Sequence, residues 1–155
     1  MTRRMLVAGF GNVLRGDDGF GVEVVRRLEE SPEVPDGTVL MEIGTGGIAL
    51  AQALLSPYDR LVIVDAMALG GAPGSLYVQQ VEGIAAARSV DMHMAVPARA
   101  LGLAQALGAL PGEVFLVGCE PAFVDELCMT LSEPVSRAVA PALAQVRLLL
   151  NRPYA

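Results

Sequence analysis

Along the chain, short runs of consecutive apolar residues alternate with longer stretches in which apolar positions recur every three or four residues. The short runs are Met5–Phe10, Thr38–Ile43, Leu61–Asp65, Leu76–Gln80 and Val114–Cys119. Leu-Val-Ile-Val and Val-Phe-Leu-Val are apolar at every position, the pattern of strands covered on both faces in a parallel sheet. Leu76–Gln80 instead alternates and directly follows the turn-rich Gly70-Gly71-Ala72-Pro73-Gly74. With no helix between it and the preceding strand, it is predicted to be antiparallel and at an edge.

Helical spacing fills the gaps. Gly19–Glu30 sets Val22, Val25 and Leu28 on one side with Glu23, Arg26 and Arg27 elsewhere. Gly47–Leu55 carries Ile48, Ala51, Leu54 and Leu55, and Pro97–Leu107 carries Leu101, Ala104 and Leu107. A final helix is expected over Pro134–Leu150, with Ser132 as N-cap and Pro141 kinking or splitting it. The order βαβαββαβα predicts a three-layer α/β/α sandwich built on a mixed five-stranded sheet with one antiparallel edge strand. No repeat or linker divides residues 1–155, so one domain is expected.

Composition narrows the chemistry. The chain is 53% hydrophobic, yet no apolar run approaches the roughly 20 residues of a bilayer span. With the Met1-Thr2-Arg3-Arg4 start and only the brief apolar run Met5–Phe10 after it, no signal peptide is expected. Two cysteines, Cys119 and Cys128, are too few for a disulfide framework, and a cytoplasmic location is expected. A net charge of −6 argues against a nucleic-acid surface. All 11 basic residues are arginine, which excludes lysine Schiff bases and a P-loop lysine. The one histidine, His93, rules out a two-histidine zinc motif.

Four places could carry chemistry. Glycines from Gly9 to Gly21 follow the first strand as in a dinucleotide fingerprint, but the sixth position is Leu14. Asp17 and Asp18 would also repel a pyrophosphate where the helix begins. A dinucleotide-binding oxidoreductase is therefore a minor alternative, and either aspartate alone could be an N-cap. Asp65 ends the third strand, where ligands gather in open α/β sheets, or else caps the Ala66–Gly71 loop. His93 precedes a helix, flanked by Met92 and Met94, which suit core filling or apolar docking. Whether His93 reaches the edge that holds Asp18 and Asp65 depends on the path of residues 81–92. If it does, the set suits a borderline divalent metal. Cys119 could be a nucleophile with His93 or simply buried; Cys128 has no supporting context.

Read together, Gly11-Asn12, Gly16-Asp17-Asp18-Gly19-Phe20-Gly21, Glu42-Ile43-Gly44-Thr45-Gly46-Gly47 and Ile63-Val64-Asp65-Ala66 resemble the hydrogenase maturation proteases. His93, Gly118-Cys119-Glu120-Pro121, Leu131-Ser132-Glu133-Pro134 and Ala140-Pro141-Ala142-Leu143 continue the resemblance over nearly the whole chain. It implies a phosphorylase/hydrolase-like fold and an endopeptidase that trims the C-terminus of a hydrogenase large-subunit precursor already loaded with nickel. It also implies that Asp18, Asp65 and His93 are both the catalytic and the metal-contacting residues, with Asp17 the less critical neighbour. Glu42 stands where the family often holds Asp and is left outside the core site. Nickel is expected to arrive with the substrate, although zinc or another divalent metal could occupy the isolated protein. Amides at Gly44–Gly47 could serve an oxyanion. A monomer is expected. A non-catalytic metal-centre chaperone docking the same subunit is the competing function.

Overall fold

Alternate side chains on each central strand enter two different cores, and this builds the layers. The computed structural model describes residues 3–81, 102, 104–124 and 126–155. Its strands are β1 (Met5–Phe10), β2 (Thr38–Gly44), β3 (Arg60–Ala66), β4 (Leu76–Val81) and β5 (Glu113–Cys119). Met5, Val7, Val62, Val64, Phe115 and Val117 face one core; Leu6, Ala8, Leu61, Ile63, Val114 and Leu116 face the other. A strand covered on both sides has no polar face, which is why these runs are apolar throughout.

The sheet order is β2-β1-β3-β5-β4. β1 pairs in parallel with β2 and β3, and β3 with β5, while β4 runs antiparallel to β5 at the edge. The alternating run thus takes the place its pattern predicts. Helix α1 (Phe20–Glu30) buries Val22, Val24, Val25 and Leu28. It shares the first core with helix α3 (Glu133–Asn151), whose Val135, Ala138, Val139, Ala142, Val146, Leu149 and Leu150 form its buried stripe.

The helical expectations hold only in part among the described residues. Helix α2 (Gly47–Ala53) buries Leu50 and Ala51, with Leu54 buried just past its end, leaving Ile48 and Leu55 exposed. Ile48 lies about 100° off that buried side. Most of the helix predicted over Pro97–Leu107 falls outside the described residues; residues 104–106 are helical, with Ala104 buried and Leu107 exposed. Pro141 does not split α3. It stands on the solvent side, where the carbonyl it leaves unbonded can turn to water.

At the amino edge of the sheet, Arg60 is fully buried and clamps the end of α3. Its Nη1 donates to the Leu149 and Arg152 carbonyls, both at 2.7 Å, and its Nε donates to Glu113 Oε1 at 3.1 Å. The last turn of α3 has no basic residue of its own, so Arg60 supplies the cation that a helix C-terminus favours. This pole is structural and leaves the carboxyl edge free for chemistry.

Candidate functional site

Asp18 reaches the carboxyl edge because the chain folds tightly back after β1. Gly11, at φ 127°, has the Asp18 carbonyl where a side chain would stand. The Asn12 amide donates to Asp18 Oδ2 at 2.9 Å. A 3-10 turn over Gly16–Gly19 then leads into α1. Gly21 lets α1 lie directly against the Phe10 and Val64 carbonyls, so the helix start sits over the ends of β1 and β3. Asp65 is the penultimate residue of β3, in register with Gly118 of β5.

The two carboxylates line one small cleft of about 90 Å³ with Phe10, Gly11, Gly44 and Thr45. A wider groove of about 340 Å³ shares Gly11, Gly44 and Thr45 with it. Arg26 and Glu42 line that groove and pair at 3.1 Å. The glycine-rich turn is thus filled from within by Asp18 and leaves no cradle for a pyrophosphate.

Electrostatics separate the acidic residues by role. Asp65 is only 9% exposed, and burial, together with the neighbouring Asp18 charge, pushes its pKa up to about 8 against a lowering hydrogen bond from the Ala66 amide. That amide donates to Oδ1 at 2.8 Å, so Asp65 caps its own strand end with one oxygen. The capping of the following loop belongs to Glu120 instead. Its Oε1 accepts from the Leu69 amide at 2.8 Å, the Gly71 amide at 2.9 Å and the Tyr77 hydroxyl at 2.8 Å. Desolvation alone would raise the Glu120 pKa, but these donors hold it below the usual carboxylate range.

Asp17 takes a structural place, apart from the residues that line the carboxylate cleft. It is fully buried, and its Oδ1 accepts the Ser132 amide at 2.7 Å. Its Oδ2 accepts the Ala122 amide at 2.7 Å, the Phe123 amide at 3.3 Å and the Ser132 hydroxyl at 2.8 Å. Ser132 does occupy the N-cap position of α3, but its hydroxyl serves Asp17 rather than the helix. Asp17 therefore locks the turn carrying Asp18 to the loop after β5. Nothing in local sequence distinguishes Asp17 from Asp18, because its donors lie more than 100 residues away.

Cys119 is fully buried in the core shared by α1 and α3, and burial first, then the charges of Asp17 and Glu120, push its thiol up to about 12. A neutral, inaccessible thiol is no nucleophile, which settles that alternative. Glu42 lines the adjoining groove rather than the carboxylate cleft. His93, with Met92 and Met94, lies outside the described residues. Among the described residues, no group of three or more His, Cys, Asp or Glu is placed to hold a metal.

Comparison with known proteins adds an independent line of evidence. A family model described as hydrogenase maturation protease matches residues 22–147. The hydrogenase expression/formation protein HupM of Azotobacter chroococcum is 40% identical over 143 residues, which cover 90% of this chain and 68% of that protein. The hydrogenase maturating endopeptidase HybD of E. coli superposes with a TM-score of 0.83 at 31% identity, covering 95% of this chain and 91% of HybD. A [NiFe] hydrogenase maturation protease HybD of Thermococcus kodakarensis superposes at 0.78 with 28% identity, covering 96% of this chain and 99% of that one.

Proposed function

Because the chain belongs to the hydrogenase maturation protease family and is a peptidase, we propose that it removes a C-terminal extension from a nickel-loaded hydrogenase large-subunit precursor. Asp18, Asp65 and His93 are the residues proposed to act. The observation that carries this reading is the pairing of Asp18 with a buried, proton-holding Asp65 in one cleft. A second negative charge beside Asp18 is unfavourable, and a divalent cation would relieve it by taking the place of the Asp65 proton. Carboxylate oxygens suit such an ion, and His93 would add the one nitrogen ligand the chain can offer. One nitrogen and two carboxylates, with no thiolate, make a modest set beside sites that retain their own metal. Such a set suits reading a nickel ion that the substrate presents, and trimming then waits until the metal has been inserted.

Peptide hydrolysis needs an activated water, a polarised carbonyl and a protonated leaving amine. A metal at the carboxylates would polarise the carbonyl and acidify water. Asp65 near neutral pH carries a proton that a cation would displace, after which its carboxylate can accept one from water. Either aspartate could serve as that base. Gly44 and Thr45 line the same cleft, which supports a role for their backbone amides toward a developing oxyanion. The groove beside Glu42 and Arg26 gives the substrate segment room to approach. No helix among the described residues is long and apolar enough to cross a membrane; a monomer working in the cytoplasm, without nucleic acid, completes the reading.

The test mixes the purified protein, stripped with chelator and then freed of it, with nickel-loaded and nickel-free precursor and follows intact masses. Loss of the extension from the loaded form alone is expected. Efficient cutting of the nickel-free form by zinc-loaded protein would overturn the nickel requirement. An unchanged precursor mass under all conditions would favour a chaperone.

A further inference from the structure

The carboxyl edge of the sheet is unusually apolar for a surface that surrounds two carboxylates. Nine large hydrophobic side chains are exposed among the described residues, and five of them stand in the segments that leave the parallel strands at this edge. Leu14 follows β1, Ile48 opens the helix after β2, Leu69 follows β3, and Leu127 and Met129 follow β5. Singly exposed apolar residues need no explanation. At least one in every segment that leaves a parallel strand, at the edge that also holds the carboxylate cleft, does.

The densest part of this rim is rigidly built. Arg15 and Cys128 form a parallel bridge, with the Cys128 amide donating to the Leu14 carbonyl at 2.9 Å and the Gly16 amide donating to the Cys128 carbonyl at 2.7 Å. Leu14, Leu127 and Met129 are the immediate chain neighbours of this bridge. Leu127 is 86% and Met129 78% exposed. Asp17 fastens the Arg15 side of this bridge to the loop and helix beside it, three residues from Leu14 and one from Asp18. The apolar rim and the carboxylate cleft are thus parts of one fixed surface.

We propose that this rim is a docking site for the folded body of the precursor protein, separate from the cleft that receives its scissile segment. The proposal rests on the protease reading above. The partner's chemistry follows from the surface. An apolar collar on the substrate would seat against Leu14, Leu127 and Met129, while a cationic, metal-bearing centre within that collar faces Asp18 and Asp65. Continuity with the cleft selects this occupant, because any protein whose chain enters the cleft must lie over the rim. Docking through the body also explains how a 90 Å³ cleft with few side chains could select one protein: most recognition would lie outside it.

The experiment compares the wild-type protein, the double variant Leu127→Asp/Met129→Asp, and a control, Leu148→Asp, whose exposed side chain lies on α3. Processing kinetics of full nickel-loaded precursor, its binding by calorimetry, melting temperature and sedimentation are measured for each. The rim variant is expected to raise KM and Kd about tenfold or more, the scale of losing one or two interface anchors, with kcat little changed. The control should match the wild type, and all three should melt and sediment alike. Unchanged KM and Kd in the rim variant would overturn the proposal, as would an equal loss in the control. A lowered melting temperature would show that this chain itself covers the rim, and a changed sedimentation coefficient that a second copy does; either outcome overturns it. If the wild type binds precursor without cutting it and the rim variant weakens that binding, docking stands and the protease reading falls. If neither binding nor cutting occurs, both fall.

Discussion

Replacing Asp17 by alanine is expected to unfold the site without touching it. The carboxylate is fully buried and accepts four hydrogen bonds, from the amides of Ala122, Phe123 and Ser132 and from the Ser132 hydroxyl. A hydrogen bond to a charged group contributes about 1.5–3 kcal/mol, and a buried donor left unpaired costs about 1–3 kcal/mol. The four share one carboxylate, and water can enter from the part-buried side, so the contributions do not add. A loss of about 3–5 kcal/mol is the reasonable scale for removing one member of a buried charged network. For a chain of this size that corresponds to a fall of roughly 6–20 °C in melting temperature. Asn offers no rescue, since its NH2 would face amide donors wherever it replaced an oxygen. Asp18→Ala makes the comparison sharp. Asp18 accepts one amide, from Asn12, and stands beside another acid, so its removal should change stability by about 1 kcal/mol or less. Thermal and urea denaturation of the two variants, run side by side, measure the difference. An Asp17→Ala protein that melts within about 2 °C of wild type would refute the reasoning.

Other consequences follow from burial and charge. The folded-state pKa of Asp65, near 8, lies above its ordinary 3.8, so the protonated form is favoured in the fold; the stability this lends is complete below about pH 4 and lost as pH rises toward 8. Metal-free Asp65→Asn should accordingly gain on wild type across that range in urea denaturation, and a pH-independent difference would count against it. Iodoacetamide should label native protein once, at half-buried Cys128, whose thiol the Thr130 hydrogen bonds shift downward, and not at buried Cys119; peptide mass mapping reads the site. Val62→Ala and Leu116→Ala, on opposite faces of the sheet, should each cost about 1–4 kcal/mol as cavity mutations. Equilibrium unfolding that shows either to be neutral would mean the two cores are not both load-carrying.

Local pattern by itself determined the strands, their parallel character and the antiparallel edge. These follow from how many faces of a strand are covered and whether a helix intervenes, and both leave a periodicity within a few residues. The same is true of α1, whose stripe is unbroken, and of Asp65, which any strand ending in a carboxylate would deliver to the carboxyl edge. The order of motifs also disclosed the family. Tertiary structure alone decided which face each of Val62 and Ile63 would join, because a run apolar throughout does not label its sides. It also decided that Leu50, not Ile48, would be buried, since the neighbouring sheet chooses the stripe. Asp17 and Asp18 are adjacent and chemically alike, yet one became a buried anchor and the other a wall of the cleft. Glu120 likewise took a share of the loop capping offered as the alternative role for Asp65, which keeps only the Ala66 amide. In each case the deciding partners are hydrogen-bond donors or packing surfaces dozens of residues away, brought close only when the sheet closes the distance that sequence leaves open.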